Sequence, residues 1–330
     1  MKIGRDDAQA LTLFAITIAF MLVMSRVGPG FGSASQIEAI LVLASFVMVV
    51  AFGQHFVVLI GGLDLAVGSV MTLGGILAFA WIGDSATALW WGVPAIVAIT
   101  GLVGAINGIG VAFARIPPFV MTLAMGTIAA SAFLGITQGV PRGSASPFIS
   151  SLFTGSWIGL PPVVVLTIAL TALGSIVQRM TALGRRVYAI GINPNAAFLA
   201  GLPVRRVTIL CYAVSGATAG LAGILMMGYS SGATLTMGQS YLLPSIAAVV
   251  VGGTSIAGGR GSLAGVAAGA LLLTTFTTLV TGLAVGEGWR IVAYGSVILI
   301  ALLLLRSDVS RWFKPPSGIQ TSTARLDAGA

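Results

Sequence analysis

Apolar runs separated by short polar gaps repeat along nearly the whole chain. Each run contains about 16 to 24 residues, and a helix needs about 20 residues to cross a hydrocarbon core of about 30 Å. The pattern therefore predicts an all-α protein that crosses a membrane many times. We count about ten predicted spans, at residues 9–25, 37–60, 65–82, 93–114, 119–137, 161–177, 207–228, 242–257, 263–286 and 289–305.

The spans predict a single membrane domain over residues 1–305, followed by a polar tail over residues 306–330. The tail begins with basic residues, continues through the adjacent Pro315 and Pro316, and ends in small polar residues. Such a composition offers too little apolar surface to bury, so we expect a disordered end.

The composition supports a membrane location. Hydrophobic residues make up 57% of the 330 residues, whereas charged residues make up only 7%. Soluble domains carry about 25% charged residues, so this chain cannot cover a water-exposed surface in the usual way. The lipid bilayer is therefore the expected surrounding of most of its surface.

The basic residues fall mainly on one side of the predicted topology. With a cytoplasmic N-terminus, only Arg26, Arg142 and Arg290 lie outside, which leaves thirteen of the 16 Lys and Arg residues inside. Cytoplasmic loops usually carry such an excess, so the pattern predicts that both termini are cytoplasmic. The inner basic residues are Lys2, Arg5, Arg115, Arg179, Arg185, Arg186, Arg205, Arg206, Arg260, Arg306, Arg311, Lys314 and Arg325.

The same topology accounts for the net charge of +8, so we expect no nucleic-acid partner. The single Cys211 excludes an internal disulfide and a cysteine-based metal cluster. The single His55 has no carboxylate or Cys close to it in the sequence, so we expect no metal site.

The chain carries no recognisable energy source of its own. A phosphate-binding P-loop needs a Lys directly after a Gly, and neither Lys2 nor Lys314, the only lysines, fits. Carboxylates inside spans usually indicate ion or proton coupling, but here the nearby acidic residues fall at span ends. These residues are Glu38, Asp64, Asp84 and Glu287. We therefore expect neither an enzyme nor a proton-driven carrier, and active transport would need a partner.

Asp64 lies in a Gly-rich break between the second and third predicted spans, with Gly62 before it and Gly68 after it. Its carboxylate can serve as the N-cap of the third span, where it would accept orphan backbone N–H groups. A role in gating or coupling is the alternative. The sequence leaves both roles open.

The longest predicted inner loop, residues 178–206, carries a helix signal of its own. Its N-cap, first helical residue and stop signal are Asn193, Pro194 and Gly201. Such a helix would expose Phe198 and Leu199. Because two turns of helix are not stable alone, we expect the apolar face to contact a membrane surface or another protein.

Several short motifs are spread over nearly the whole chain. They are GGLDLAVGS at 61–69, NG at 107–108, RIPPFVMTL at 115–123, GRRVYAIG at 184–191, AG at 200–201, GGTS at 252–255 and GGRGS at 258–262. Together they resemble the permease subunits of bacterial ATP-binding-cassette importers for ribose, xylose and related monosaccharides. Two places depart from the usual pattern of that family: Ala66 stands for Ser, and Ala130 with Ser131 stands for Arg-Gly.

The resemblance implies the ten-span fold of the larger importer permeases, in the cytoplasmic membrane of a bacterium, with two copies enclosing a pathway. It implies that the segment from about 184 to 206, with Arg185 and Arg186, docks on a separate ATPase subunit. That ATPase would use the ATP and Mg²⁺, and this chain would bind no cofactor. A soluble binding protein would deliver a pentose or hexose from outside.

Five side chains are candidates for lining a sugar pathway, although each can equally form a bond between helices. They are Asn107, Thr127, Gln138, Gln239 and Trp289. Two other functions remain open. A branched-chain amino acid permease of the same superfamily shares the span pattern, and a stand-alone channel or carrier would need no partner.

Overall fold

The computed structural model describes residues 5–26 and 32–282, together with the isolated positions 286, 288, 289, 292, 295 and 296. Up to residue 282 the described residues form twelve α-helices. These are α1 (Arg5–Met24), α2 (Ala34–Leu59), α3 (Val67–Trp81), α4 (Ala86–Ala112), α5 (Pro118–Thr137), α6 (Pro147–Thr154), α7 (Pro162–Met180), α8 (Ala182–Ile192), α9 (Pro194–Leu199), α10 (Val204–Ser230), α11 (Gln239–Val251) and α12 (Leu263–Gly282).

Six of the helices in the described part are long and apolar enough to cross a membrane, namely α2, α4, α5, α7, α10 and α12. Three apolar stretches are shorter: Ala8–Val23 within α1, and the whole of α3 and α11. Each of these nine overlaps one predicted span, and nearly all of the tenth, residues 289–305, lies outside the described residues. The all-helical, multi-pass prediction is supported, but helix length supports six spans and not ten.

The helices α3 and α11 both begin at breaks inside the bundle, and α11 also ends six residues before the predicted span does, at Val251. Asp64, in the break before α3, contacts Ser215, which lies about 16 Å along α10 at 1.5 Å per residue. Gly238, directly before α11, packs against Gly68 and donates its N–H to Thr72 Oγ1 at 3.0 Å. Both helices therefore begin near the middle of the bundle.

The centre of the bundle is α10, which packs against α4, α3 and α2. Glycines at the contacts allow the backbones to approach closely: Gly104 of α4 lies against the carbonyl of Tyr212, and Gly223 of α10 lies against that of Met71. Close approach through small residues is how helices gain packing energy in lipid, where the hydrophobic effect between them is weak.

Burial separates the inner helices from the outer ones. In the most apolar window of α2, 89% of the residues are buried, whereas in α5 only 22% are buried. The outer face of α5 is therefore available to lipid or to another chain.

The predicted loop 178–206 is mostly helical. α7 continues to Met180, α8 and α9 follow, and α10 begins at Val204. Thr181 starts α8 by accepting the N–H of Gly184 on its Oγ1 at 3.3 Å. The sequence reasoning found α9 but not α8, because the arginine pair and the glycines of α8 interrupt its apolar pattern.

Candidate functional site

The side chains of α8 and α9 divide into a buried set and an exposed set. Val187 and Ile190 of α8 and Ala197 of α9 are buried. The exposed set includes two positive charges and three large apolar groups, Ile192 (73% exposed), Phe198 (66% exposed) and Leu199 (85% exposed). We call the exposed residues Arg185, Arg186, Phe198 and Leu199 the α8–α9 surface.

The ends of α9 are fixed by local contacts. Asn193 caps the helix as predicted, because its Oδ1 accepts the N–H groups of Asn195 and Ala196, each at 3.0 Å. Pro194 takes the first helical position, where no N–H is needed. Gly201 follows with φ of +79°, in the left-handed region that favours Gly. These contacts define both ends of α9, on which Phe198 and Leu199 stay exposed.

Asp64 is buried but is not the N-cap of α3. That position is held by Ala66, which has no side-chain oxygen, and Asp64 lies two residues earlier. Its Oδ1 accepts the N–H of Ala66 at 3.0 Å, and its Oδ2 accepts the hydroxyl proton of Ser215 at 2.8 Å. The N-cap prediction was therefore wrong in its position: the carboxylate closes the turn before the helix and ties this break to α10.

The glycines around Asp64 permit close packing. A Cβ on Gly62 would lie 2.6 Å from the hydroxyl oxygen of Tyr212, and a Cβ on Gly68 would lie 3.2 Å from the carbonyl oxygen of Gly238. A larger residue at either position would push the break away from α10 or from the start of α11.

The five predicted pathway residues do not gather at one place. Asn107 is fully buried in α4, and its amide has no hydrogen-bond partner in the described part of the chain. Gln138 is exposed at the left-handed end of α5, with φ of +51°, and Trp289 is exposed at an isolated described position. Thr127 is exposed on α5 and Gln239 is exposed at the start of α11.

Thr127 and Gln239 are related through Ser69 of α3. Gln239 donates from Nε2 to Ser69 Oγ at 3.2 Å. A Cβ on Gly126, the neighbour of Thr127, would lie 3.7 Å from the same Ser69 oxygen. Gln239 and Gly126, the residue before Thr127, therefore both lie near Ser69 in the first turn of α3.

A buried polar network was not predicted from the sequence. His55 of α2 contacts Gln178 of α7 and also Thr254 in the turn between α11 and α12. Gln178 also contacts Tyr188 of α8 and Gly261 in the same turn. We call these five residues the His55–Gln178 network. The sequence did contain a signal for such a network, because polar side chains inside or next to apolar spans usually have polar partners. It does not reveal which residues those partners are.

Comparison with known proteins identifies the family. Residues 36–306 match the family described as the permease component of the branched-chain amino acid transport system. The chain belongs to this permease family. The resemblance seen in the motifs is thereby confirmed, and the permease is a multi-pass membrane component of a transport system.

Individual relatives match the permease over nearly its whole length. It is 33% identical over 307 residues to the ribose import permease protein RbsC of Haemophilus influenzae, covering 92% of this chain and 94% of that protein. It is 34% identical over 306 residues to RbsC of Bacillus subtilis, covering 90% and 93%. It is also 34% identical over 309 residues to the fructose import permease protein FrcC of Rhizobium meliloti, covering 89% and 84%. No solved structure matches the permease significantly.

Proposed function

We propose that this permease is the membrane subunit of an ATP-driven importer that brings a monosaccharide, a pentose or a hexose, into a bacterial cell. The observation that carries the proposal is its similarity, over about nine-tenths of its length, to permeases named for ribose and fructose import. The family description names branched-chain amino acids, which makes an amino acid the alternative substrate.

In this proposal a separate ATPase subunit docks on the α8–α9 surface and uses ATP and Mg²⁺, while the permease itself is not an enzyme and binds no cofactor. Exposed Phe198 and Leu199 supply the apolar centre of the contact, and Arg185 and Arg186 supply its charged rim. Protein interfaces typically have this composition, with aromatic and Arg side chains enriched. The caps at Asn193 and Gly201 would hold the apolar pair in position for docking.

The proposed topology has ten spans with both termini and the α8–α9 surface in the cytoplasm. Thirteen of the 16 basic residues then face the cytoplasm, as the positive-inside rule favours. The helix α1 has 20 residues and counts as a span, and the shorter α3 and α11 count as spans because broken helices are tolerated where other helices bury the free backbone groups. Residues 289–305 would supply the tenth span, and residues 306–330 a cytoplasmic tail.

We further propose that two copies pair and enclose the sugar pathway, and that a soluble binding protein delivers the sugar from outside. Thr127 and Gln239 are exposed polar side chains, although the Thr127 hydroxyl bonds to the carbonyl of Leu123 at 3.1 Å and the Gln239 amide bonds to Ser69. Amides and hydroxyls suit a neutral sugar. Asn107, Gln138 and Trp289 remain candidates with less support, and the Asp64 break between Gly62 and Gly68 is a candidate gate.

The test is reconstitution of the purified permease in liposomes with its ATPase and binding protein. We expect uptake of labelled ribose or another monosaccharide only when ATP and all three proteins are present. Uptake of leucine instead of any sugar would favour the amino acid alternative. Sugar flux through the permease alone would identify a channel or carrier and contradict the importer proposal.

A further inference from the structure

Gln178, close to the end of α7, is buried at a meeting point of several segments. Its Oε1 accepts the backbone N–H of Leu263, at the start of α12, at 3.2 Å. Its Nε2 lies 2.8 Å from Nε2 of His55 and 2.8 Å from the hydroxyl of Tyr188. The same nitrogen is 3.3 Å from the carbonyl oxygen of Gly261. One amide therefore joins α2, α7, α8 and the turn between α11 and α12.

The chemistry of the donors fixes the direction of each bond. A backbone N–H can only donate, so the oxygen of Gln178 must face Leu263 and its NH₂ group must face His55. His55 Nε2 therefore accepts, the imidazole is neutral, and its Nδ1–H donates to Thr254 Oγ1 at 2.9 Å. The hydroxyl of Tyr188 accepts from Gln178 and donates to the Gly261 carbonyl at 2.6 Å.

A second contact joins the same segments one turn further along α8. The N–H of Gly259 donates to the carbonyl of Leu59, at the end of α2, at 2.9 Å. Gly191 of α8 lies so close to both groups that a side chain there would collide with them. Two attachment points, three residues apart on α8, leave this helix little freedom to rotate or slide independently of α2 and the α11–α12 turn.

We propose that Gln178 is a positioning residue that makes α8 move as one unit with α2 and the α11–α12 turn. This inference rests on the proposed function, in which an ATPase moves the α8–α9 surface. Displacement of α8 would then pull the end of α2, which lies five residues before Asp64 and the break at which α3 begins. Hydrogen bonds are directional and strong where water is excluded, so they transmit displacement better than apolar contacts, which tolerate sliding.

The test compares Gln178→Leu, which removes the amide, and Tyr188→Phe, which removes only one hydroxyl, with the wild-type permease. Two quantities are measured with the ATPase and binding protein in liposomes: the affinity of the ATPase for the permease, and the number of sugar molecules taken up per ATP hydrolysed. We expect unchanged affinity for both variants. Uptake per ATP should fall about tenfold for Gln178→Leu and less for Tyr188→Phe.

Matched variants distinguish positioning from general stability. Ser45→Ala removes a buried hydroxyl of α2 that, among the described residues, bonds only to the carbonyl of Leu41 in its own helix, at 2.9 Å, and it should leave uptake per ATP unchanged. His55→Phe should lower uptake per ATP, whereas His55→Gln supplies an oxygen that can accept from Gln178 and should restore part of it.

The results separate the two proposals. Normal uptake per ATP in Gln178→Leu would overturn the positioning role, and so would loss of ATPase affinity in both Gln178→Leu and Tyr188→Phe, because the network would then only shape the docking surface. If Gln178→Leu does not fold, Tyr188→Phe decides by the same measurements. Failure of the wild-type permease to bind the ATPase would overturn the proposed function and this inference with it.

Discussion

At the scale of single residues, Gly259 and Gly201 have nearly the same backbone angle in different surroundings. Their φ angles are +75° and +79°. A Cβ on Gly259 would lie 2.7 Å from Cγ1 of Ile192 and 2.9 Å from its backbone nitrogen, whereas a Cβ on Gly201 would have nothing within 4 Å. The pair therefore separates the cost of backbone strain from the cost of a steric clash.

We expect Gly201→Ala to destabilise the permease by about 1–2 kcal/mol, the usual cost of a left-handed residue with a Cβ. Gly259→Ala should cost the same plus about 1–3 kcal/mol, because the neighbouring backbone of Ile192 must shift. Thermal unfolding of the two purified variants measures the difference. Equal loss of stability would show that the α11–α12 turn can accommodate the methyl group.

Asp64 makes two hydrogen bonds that its variants remove selectively. Asp64→Asn keeps an oxygen for the N–H of Ala66 and can donate its NH₂ to Ser215 Oγ, so stability should change little. Asp64→Ala leaves two buried donors unsatisfied, at a cost of about 1–3 kcal/mol each.

Thermal unfolding and sugar uptake should be measured together for these variants, with Ser215→Ala as the control that removes one donor only. Its loss of stability should be smaller than that of Asp64→Ala. If Asp64→Asn keeps its stability but loses transport, the negative charge itself acts in gating, and hydrogen bonding does not explain the residue.

The residues that the sequence predicted well are those whose partners are close in the chain. The cap of α9 is such a case, because Asn193 contacts backbone groups two and three residues ahead. The side-chain partner of Asp64 is Ser215, 151 positions away, and those of His55 are Gln178 and Thr254, 123 and 199 positions away. Only the folded bundle determines such pairs, so local rules could not identify them.

At the scale of elements, the docking of α9 depends on apolar contact. We expect Phe198→Asp to weaken binding of the ATPase by about 2 kcal/mol or more, roughly thirtyfold, because a charge would be buried where an aromatic anchor is expected. The variant should still fold, since the side chain is 66% exposed. Binding of labelled ATPase to permease in nanodiscs measures the effect.

The matched control is Asn195→Asp, which adds the same charge to the same helix without removing an apolar group. Asn195 is exposed, so its affinity for the ATPase should stay near that of the wild type. Equal loss of affinity in both variants would indicate a general charge effect, and no loss in Phe198→Asp would contradict docking at this surface.

Helix lengths show where pattern reasoning fails at this scale. The apolar runs at 65–82 and 242–257 predict two ordinary spans, but α3 and α11 contain only 15 and 13 residues. The helix α3 begins two residues after the predicted start, behind the Asp64 break, whereas α11 begins three residues before its predicted start and ends six residues early, at Val251. An apolar run reports that a segment is shielded from water, whether or not it is a continuous helix, so the breaks were not predictable from hydrophobicity.

At the scale of the whole molecule, the sequence predicted the class of fold because lipid imposes it. A chain with few charges must satisfy its backbone internally in a bilayer, which favours helices. Which helices pack directly against α10 was not predictable in the same way, because the buried helices and the outer helices are similarly apolar. Glycine contacts between helices, such as that of Gly104 with Tyr212, decide which helices approach closely.

The proposed orientation can be tested by labelling single cysteines on the two sides of α7. Ser156→Cys lies in the exposed connection before α7, and Asn195→Cys lies on exposed α9 after it. The native Cys211 is buried and would be replaced by Ala to remove its signal. If α7 crosses the membrane in the proposed direction, an impermeant thiol reagent should label Ser156→Cys in intact cells. Asn195→Cys should react only after the membrane is permeabilised.

The two positions also test whether α7 crosses the membrane. Of the helices between Ser156 and Asn195, only α7 is long enough to cross, since α8 has 11 residues. The α7 length of 19 residues corresponds to about 28 Å at 1.5 Å per residue, close to the thickness of the hydrocarbon core. The reverse labelling would invert the topology and place the α8–α9 surface outside, where no ATPase could reach it. Labelling of both positions from outside would mean that α7 does not cross, and the ten-span proposal would then fail together with the docking of an ATPase on α9.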